Sequence, residues 1–420
     1  MKKSDVIVIG GGLAGLFAAA VAAQKGKKVT VLSYGAGALT IGGGVIDMMG
    51  YAEGNKPFAT PIEGVKNAPA DHPYARIGAD AVKASVKAFM DMAKAEGYAY
   101  EGSLDAMKWI PTAVGTLKPT ALTSRTMDTA KMESAKKLVV VDIEGLKDFS
   151  AALVAKNIQT VFPNKTIETV RVAGITKAGR DMTAIDVARE LEHADVRAKL
   201  ISALKGKAAK DVCFLIAPVL GSHASYDVFD AIAKELGSIV ECAAVAPSVT
   251  GIRLRELMLN VLRKLGVTLI EKAHVCGSVV EGGKVVAVTT KDFGRQRAYR
   301  ADEFILASGG FYGGGFTADQ ENVTEVVFNL PIVAPATVEE WTNAKMFSDQ
   351  KQPFAMIGLA TNDQLQPIDT AGKVIYPNVR VIGRSMAGYD FCFEKSGNGV
   401  AIASAYKAAS LIAKGGKSHE

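Results

Sequence analysis

The sequence predicts an α/β fold, in which a mostly parallel sheet carries an inserted α/β cap domain. Two glycine-rich stretches at opposite ends of the chain lead to this prediction. The first, VIVIGGGLAGLFAAA from Val6, is a strand that runs into a helix through Gly10-x-Gly12-x-x-Gly15. The second, from Asn378, gives a strand, a glycine turn, an aspartate and a glycine-led helix. Such a loop lets a phosphate rest on a helix N-terminus, so the pair indicates a Rossmann-like FAD/NAD(P)-binding domain, and a flavoprotein rather than a nicotinamide dehydrogenase.

The elements of this domain begin with a strand at 6–9, a helix at 13–24 and a strand at 28–32. The two strands of such a unit must be parallel. From about residue 51 to residue 244, helices alternate with the strands KLVVVDIEG, VRVAGI, CFLIAPVLG and IVECAAVAP. This second alternation predicts the inserted cap or substrate domain.

The chain then returns to the first domain with a helix at 252–265 and the strands VTLI, VCGSVV, VVAVTT and 300–306. The last of these ends in LASGG, which puts Ser308 and Gly309 at a carboxyl end of the sheet, where ligands bind. We therefore expect a discontinuous flavin-binding domain and a cap domain, with these bounds: 1–50, 245–315 and 370–420 for the first, 51–244 and 316–369 for the second.

Composition narrows the classes of ligand. The 42 glycines of this 420-residue chain cluster at 10–15, 42–44, 309–315 and 383–399, and one large planar ligand approached closely by the backbone would explain all four clusters. The net charge of +6 is much smaller than the positive charge typical of a nucleic-acid-binding protein. The four cysteines form no C-x-x-C pair, and the histidines form no zinc motif. We therefore expect no metal site in this chain. Unpaired cysteines also predict that the protein is located in a reducing cytoplasm.

The uncharged run at 6–23 follows two lysines and resembles a signal peptide or a short membrane span. Glycines in phosphate-loop spacing interrupt it, and a second strand follows at once. We therefore expect membrane association only through partners.

Segments along the whole chain resemble the B subunit of anaerobic glycerol-3-phosphate dehydrogenase, within the fumarate-reductase-like flavoproteins. They are GGGLAGL at Gly10, GGGVIDMM at Gly42, DHPYARIG at Asp71, GTLKPTAL at Gly115, DIEGLKDF at Asp142, PSVTGIRL at Pro247, LASGGFYGGG at Leu306, and the tail from IGRSMAGYD to GNGVA. The resemblance implies a flavin subunit for oxidation of sn-glycerol 3-phosphate to dihydroxyacetone phosphate. It also implies a flavin-bearing A-type partner and an iron–sulfur C-type partner that passes electrons toward quinone, at the inner face of the cell membrane.

The sequence departs from the usual dinucleotide pattern at Ser33. An Asp or Glu at the end of the second strand normally receives the adenosine ribose hydroxyls, and this chain has KVTVLSYG there. A hydroxyl is a weaker partner than a carboxylate. FMN has no adenosine, so its binding does not require that carboxylate. The resemblance also implies FMN. We therefore expect FMN as the cofactor, with FAD as the alternative.

The residues expected to touch the flavin come from all four glycine clusters. At the tail, the amides of Asn398, Gly399 and Val400 would face the pyrimidine edge of the ring and stabilise its negative charge on reduction. The alternative is that Asp390 and the tail glycines only begin a helix, and that the glycines at 42–44 only form a loop. The expected set is Gly10, Gly12, Leu13, Ala14, Gly15, Ser33, Gly42, Gly43, Gly44, Ser308, Gly309, Gly383, Asp390, Asn398, Gly399 and Val400.

Oxidation of a secondary alcohol needs a base, and a phosphate substrate calls for Arg or Lys. The candidates are His72, Lys118, Arg125 and Lys395. His72 precedes a proline, where a structural hydrogen bond is the competing interpretation, and Lys118 and Arg125 also fit solvated charges on the cap. Two further functions stay open: a non-catalytic flavin relay or assembly subunit, and a fumarate-reductase-like reductase of another small acid.

Overall fold

The computed structural model describes residues 3–176, 179–243, 246–292, 295–346 and 348–415. Two compact units divide the chain. Unit 1 comprises residues 1–38, 47–92 and 258–420, and unit 2 comprises residues 39–46 and 93–257.

This division differs from the expected one at four segments. Residues 51–92 and 316–369 lie in unit 1 rather than with the cap, and residues 39–46 and 246–257 lie in unit 2 rather than with the flavin-binding domain. Apolar contacts within unit 1 hold the first two segments. The ring of Phe89 packs edge-on against Phe17, with centroids 6.1 Å apart, and Phe328 packs against Phe304 at 6.5 Å. Neither pairing has a local sequence signal.

The strands and helices are numbered in chain order. The strands are β1 (Ser4–Ile9), β2 (Val29–Ser33), β3 (Tyr51–Ala52), β4 (Lys56–Pro57), β5 (Tyr100–Gly102), β6 (Lys108–Pro111), β7 (Leu117–Thr120), β8 (Leu122–Ser124), β9 (Lys137–Ile143), β10 (Thr166–Val172), β11 (Val212–Ile216), β12 (Ser238–Glu241), β13 (Thr268–Glu271), β14 (Val275–Glu281), β15 (Lys284–Asp292), β16 (Arg295–Leu306), β17 (Phe316–Ala318), β18 (Val323–Glu325), β19 (Ile332–Val333), β20 (Gly358–Leu359) and β21 (Val379–Val381). The helices are α1 (Leu13–Gln24), α2 (Pro61–Lys66), α3 (Pro73–Ile77), α4 (Ala79–Ala95), α5 (Ala130–Ser134), α6 (Ala151–Val161), α7 (Ala184–Glu190), α8 (Ala194–Lys205), α9 (Asp227–Leu236), α10 (Val249–Lys264), α11 (Pro353–Met356), α12 (Phe391–Glu394) and α13 (Gly397–Gly415).

The main sheet of unit 1 has the order β13-β2-β1-β16-β15-β14, and β21 also pairs with β16. The pairs among β13, β2, β1, β16 and β21 are parallel, and β14–β15–β16 is an antiparallel excursion. Residues 6–9 of β1 form a continuous buried apolar run, which is typical of a strand in a parallel sheet with both faces covered. α1 is apolar almost all round, since it is buried between the sheet and α13.

Unit 2 contains a parallel sheet of order β10-β9-β11-β12, formed by the four segments that predicted the second alternation. Its core is the buried face of these strands and of α6 to α9. The predicted α/β fold with a mostly parallel sheet is confirmed.

Candidate functional site

The glycine loop after β1 forms an open cradle at the N-terminus of α1. Gly10 has φ +122°, and a Cβ there would lie 2.1 Å from the Ala307 carbonyl oxygen; a Cβ on Gly15 would lie 2.0 Å from the Gly10 oxygen. At Gly12, by contrast, nothing lies within 4 Å of the Cβ position. Two glycines are thus required by packing, and the third faces open space.

The first amides of α1 point into this cradle. Gly12 precedes the helix and gives it no side-chain cap. In the part of the chain that the structure describes, the backbone amides of Gly12, Leu13 and Ala14 donate no hydrogen bond. An uncapped helix start with open space in front of it fits a phosphate group, as the flavin nucleotide would supply.

The carboxyl ends of β16 and β21 meet this loop. A Cβ on Gly383 would lie 2.9 Å from the Cβ of Ala14. Beside it, the Ser308 and Ser385 hydroxyl oxygens are 3.1 Å apart, and the Gly309 amide donates to the Ser385 hydroxyl at 3.2 Å. The structure therefore brings the first, third and fourth glycine clusters together at one edge of the sheet.

Ser33 ends β2 beside the loop. Its hydroxyl donates to the Gly35 carbonyl at 2.7 Å, and a Cβ on Gly11 would lie 2.1 Å from the Ser33 oxygen. The hydroxyl thus packs under the glycine loop. Glu271, the exposed last residue of β13, is the register partner of Ser33 and puts a carboxylate on the neighbouring strand.

The amides at the start of the tail helix make hydrogen bonds within the protein. The Gly399 amide donates to the Asp47 carbonyl at 2.7 Å, and the Val400 amide donates to the Ser396 carbonyl at 2.9 Å. A Cβ on Gly399 would lie 2.4 Å from the same Asp47 oxygen. Two of the three amides expected to face a flavin are therefore engaged within the protein, and Asn398 also has a partner.

Asp390 caps α12. Its carboxylate accepts hydrogen bonds from the amides of Cys392 and Phe393, both at 3.1 Å, and of Gln352 at 3.0 Å. The helix start that the sequence left as the alternative for this residue is the arrangement found, because an aspartate before a helix satisfies its first amides.

The second glycine cluster belongs to unit 2. A Cβ on Gly44 would lie 2.4 Å from the Thr250 carbonyl oxygen, and a Cβ on Gly251 would lie 2.6 Å from the Gly42 oxygen. The Thr250 hydroxyl donates to the Gly43 carbonyl at 2.8 Å. Close packing of this loop on the first turn of α10 accounts for Gly44, whereas a Cβ on Gly43 would lie no closer than 3.9 Å to another atom. The expected contact of Gly42, Gly43 and Gly44 with a flavin stays a prediction.

The four candidate catalytic residues are divided between the units. In unit 2, Arg125 forms a two-pronged ion pair with Asp230, at 2.8 and 3.3 Å, and its guanidinium lies over the Tyr226 ring. Lys118 lies half-buried on β7 and also has a partner. In unit 1, the Lys395 ammonium donates to the Cys392 carbonyl.

His72 is fully buried in unit 1. Its Nδ1 accepts the Tyr74 amide, and its Nε2 lies 3.0 Å from Glu394 Oε2. Burial opposes charge on Glu394, but the hydrogen bond from His72 and the ammonium of Lys351 outweigh it and lower the pKa of Glu394. Both ring nitrogens of His72 are engaged, so the geometry favours its structural interpretation.

One residue that the sequence reasoning left out is Arg384, which directly follows Gly383. A lone arginine inside the glycine-rich segment IGRSMAGYD, just after a strand, is the signal that could have found it.

Among the described residues, no cluster of His, Cys, Asp or Glu has the arrangement of a metal site. No helix in the described ranges is both long and apolar enough to span a bilayer.

Unit 1 also contains a cavity of about 560 Å³. It is lined mostly by apolar residues, together with Asp71, Arg76 and Thr361, and by none of the residues expected to touch the flavin.

Comparison with known proteins gives matches along nearly the whole chain. A family profile described as an FAD binding domain matches residues 5–400. The probable B subunit of anaerobic glycerol-3-phosphate dehydrogenase from Halobacterium salinarum (strain ATCC 29341 / DSM 671 / R1) is 31% identical, and the match covers 98% of this chain and 98% of that protein. The B subunit of anaerobic glycerol-3-phosphate dehydrogenase from Vibrio vulnificus (strain YJ016) is 27% identical over 97% of this chain and 96% of its own. The Vibrio cholerae protein of that name (serotype O1, strain ATCC 39315 / El Tor Inaba N16961) is 29% identical, with 98% and 97% coverage.

Proposed function

We propose, from the premise that this chain belongs to the FAD binding domain family and to the B subunits of anaerobic glycerol-3-phosphate dehydrogenase, that it is the flavin subunit that oxidises sn-glycerol 3-phosphate to dihydroxyacetone phosphate. The observation that carries the proposal is the full-length match together with the open, uncapped cradle at Gly12. In the proposed complex, an A-type flavin subunit and an iron–sulfur C-type subunit pass the electrons toward quinone. Membrane association at the inner face would come through these partners.

FAD is the flavin we propose for this site, in place of the FMN first expected from Ser33. The family profile is that of FAD binding, and it matches residues 5–400 of this chain. The amides of Gly12, Leu13 and Ala14 would hold the phosphates. When bound, the flavin supplies the acceptor for the hydride of the substrate carbon.

The mass of the released flavin tests this choice. We expect protein purified with its flavin to release FAD on denaturation, at one per chain, when the supernatant is analysed by mass spectrometry. Release of FMN alone would contradict the proposal, and the absence of a carboxylate at Ser33 would then account for the preference.

A relay subunit, in which the flavin receives electrons only from a partner, is the second candidate. The engagement of His72, Arg125 and Lys395 within the protein favours it, because a base must be able to reach the substrate hydroxyl. The fumarate-reductase-like alternative has no such supporting observation.

Anaerobic reduction distinguishes the two candidates. If the chain acts on the substrate directly, glycerol 3-phosphate mixed with the flavin-loaded chain alone will bleach the visible absorbance of the flavin, on the order of one flavin per substrate oxidised. Glycerol serves as the phosphate-free control. Bleaching that requires the A-type partner would instead support the relay.

A further inference from the structure

Arg384 lies at the ligand-binding edge of the unit 1 sheet. It follows Gly383, whose Cβ position is 2.9 Å from the Cβ of Ala14 in the glycine loop. Its own carbonyl oxygen is 2.9 Å from the Cβ position of Gly310, in the loop after β16. The residue is thus held between two loops at the carboxyl ends of parallel strands, where ligands of open α/β sheets bind.

Aromatic rings surround the guanidinium. Its Cζ lies 3.3 Å from the ring centroid of Phe391, 5.1 Å from that of Tyr312 and 5.9 Å from that of Tyr389. Burial lowers the pKa of Arg384, although the neighbouring Tyr389 and Cys392 oppose the shift. Rings cover the faces of a guanidinium but accept none of the hydrogen bonds along its edges.

No hydrogen bond or ion pair involves the Arg384 side chain within the described ranges. Arg384 is half-buried, whereas two buried arginines each have a carboxylate: Arg253 has Glu241 and Arg380 has Glu303, both at 2.6 Å. A buried guanidinium is ordinarily paired in this way, because burial of an unpaired charge is costly.

Among the residues that the structure describes, no group near Arg384 replaces such a carboxylate. Asp390 lies close enough to influence its charge, but three backbone amides already occupy the Asp390 carboxylate. The hydroxyl of Tyr389, also buried, has no partner in the described part of the chain. The described part of this cluster therefore gives the guanidinium edge of Arg384 no carboxylate to pair with.

We propose that Arg384 binds a phosphate group, with the edge of its guanidinium donating to two phosphate oxygens. Such a two-pronged contact matches the planar fork of arginine. The phosphate has two candidate sources, glycerol 3-phosphate and the flavin nucleotide; the first rests on the proposed function and the second does not. Because the rings fix the plane of the fork, Arg384 positions the phosphate as well as neutralising it.

The test uses the full-length flavin-loaded protein and its Arg384→Gln and Arg384→Lys variants. Arg297→Gln, at an exposed position of β16, removes one positive charge elsewhere and is the matched control. Two quantities are measured for each protein: the apparent Kd for orthophosphate and for glycerol 3-phosphate from ligand-dependent thermal unfolding, and the flavin retained after gel filtration. Glycerol is the ligand control.

For the substrate source, we expect Arg384→Gln to keep its flavin and to bind both phosphate ligands at least about tenfold more weakly. Arg384→Lys should recover part of that loss, because it keeps the charge but not the fork. For the flavin source, we expect loss of flavin from a chain whose circular dichroism is unchanged. If Arg384→Gln does not fold, the same two readouts are taken on Arg384→Lys.

The proposal is overturned if the Arg384 variants retain flavin and bind both phosphate ligands as the control does. Should the wild-type protein bind flavin but neither phosphate ligand, the proposed substrate fails. The proposed role of Arg384 is then tested by flavin retention alone, and unchanged flavin retention in the Arg384 variants rejects that role.

Discussion

The substitution Gly12→Ala is expected to deprive the protein of flavin while leaving the chain folded. Gly12 has φ −80° and ψ 179°, a conformation that alanine adopts without strain, and nothing lies within 4 Å of its Cβ position. The added methyl group therefore costs the protein alone little. It would occupy the space through which a phosphate approaches the first amides of α1, and we expect flavin affinity to fall by at least about tenfold, or about 1.4 kcal/mol.

The measurement is flavin retained per chain, together with the unfolding temperature of flavin-stripped protein. Gly206→Ala is the matched control, because Gly206 also has a φ that alanine adopts, and nothing lies within 4 Å of its Cβ position. We expect it to keep its flavin. Gly15→Ala is the contrasting variant, since its Cβ would lie 2.0 Å from the Gly10 oxygen and should disturb the fold itself. Full flavin binding by Gly12→Ala would show that no phosphate uses this cradle.

The sequence predicted the backbone of this edge well, and the reason is local. The helix of residues 13–24 was placed with its observed bounds, because glycine spacing and an apolar run determine such a unit within a short window. The strand predicted at 300–306 also ends where β16 ends, at Leu306. These predictions depend on neighbours in the chain and on the general geometry of parallel sheets.

The polar contacts of the site could not be predicted in the same way. Asp390 and Gly399 carry residue types that suit either a ligand or a helix start, and only the tertiary positions of Gln352 and Asp47 decide between these roles. The aromatic rings around Arg384 likewise come from two separate segments, the loop after β16 and α12. Strands and helices produce a periodic pattern in the sequence. Contacts between side chains from remote segments produce no such pattern.

Replacing Arg253 by methionine is expected to destabilise unit 2 by about 3–5 kcal/mol. Arg253 and Glu241 are both fully buried and form a two-pronged pair, at 2.6 and 2.9 Å. Burial opposes charge on Arg253, but the carboxylate of Glu241 outweighs this and raises the pKa of Arg253 above its ordinary value. Arg253 also donates to the Gly221 carbonyl at 2.8 Å through Nε. Methionine fills part of the volume but leaves the carboxylate without its cation.

The double variant Arg253→Met with Glu241→Leu separates two effects: the loss of the ion pair, and the presence of one buried charge without its partner. Urea unfolding followed by circular dichroism should give the double variant a higher free energy of unfolding than Arg253→Met alone, because no uncompensated charge then remains buried. Some loss relative to wild type should persist, since the Leu220 amide, which donates to Glu241 at 2.7 Å, loses its acceptor. If the single variant is as stable as wild type, the pair is not what holds β12 to α10, and the apolar packing between them must be sufficient.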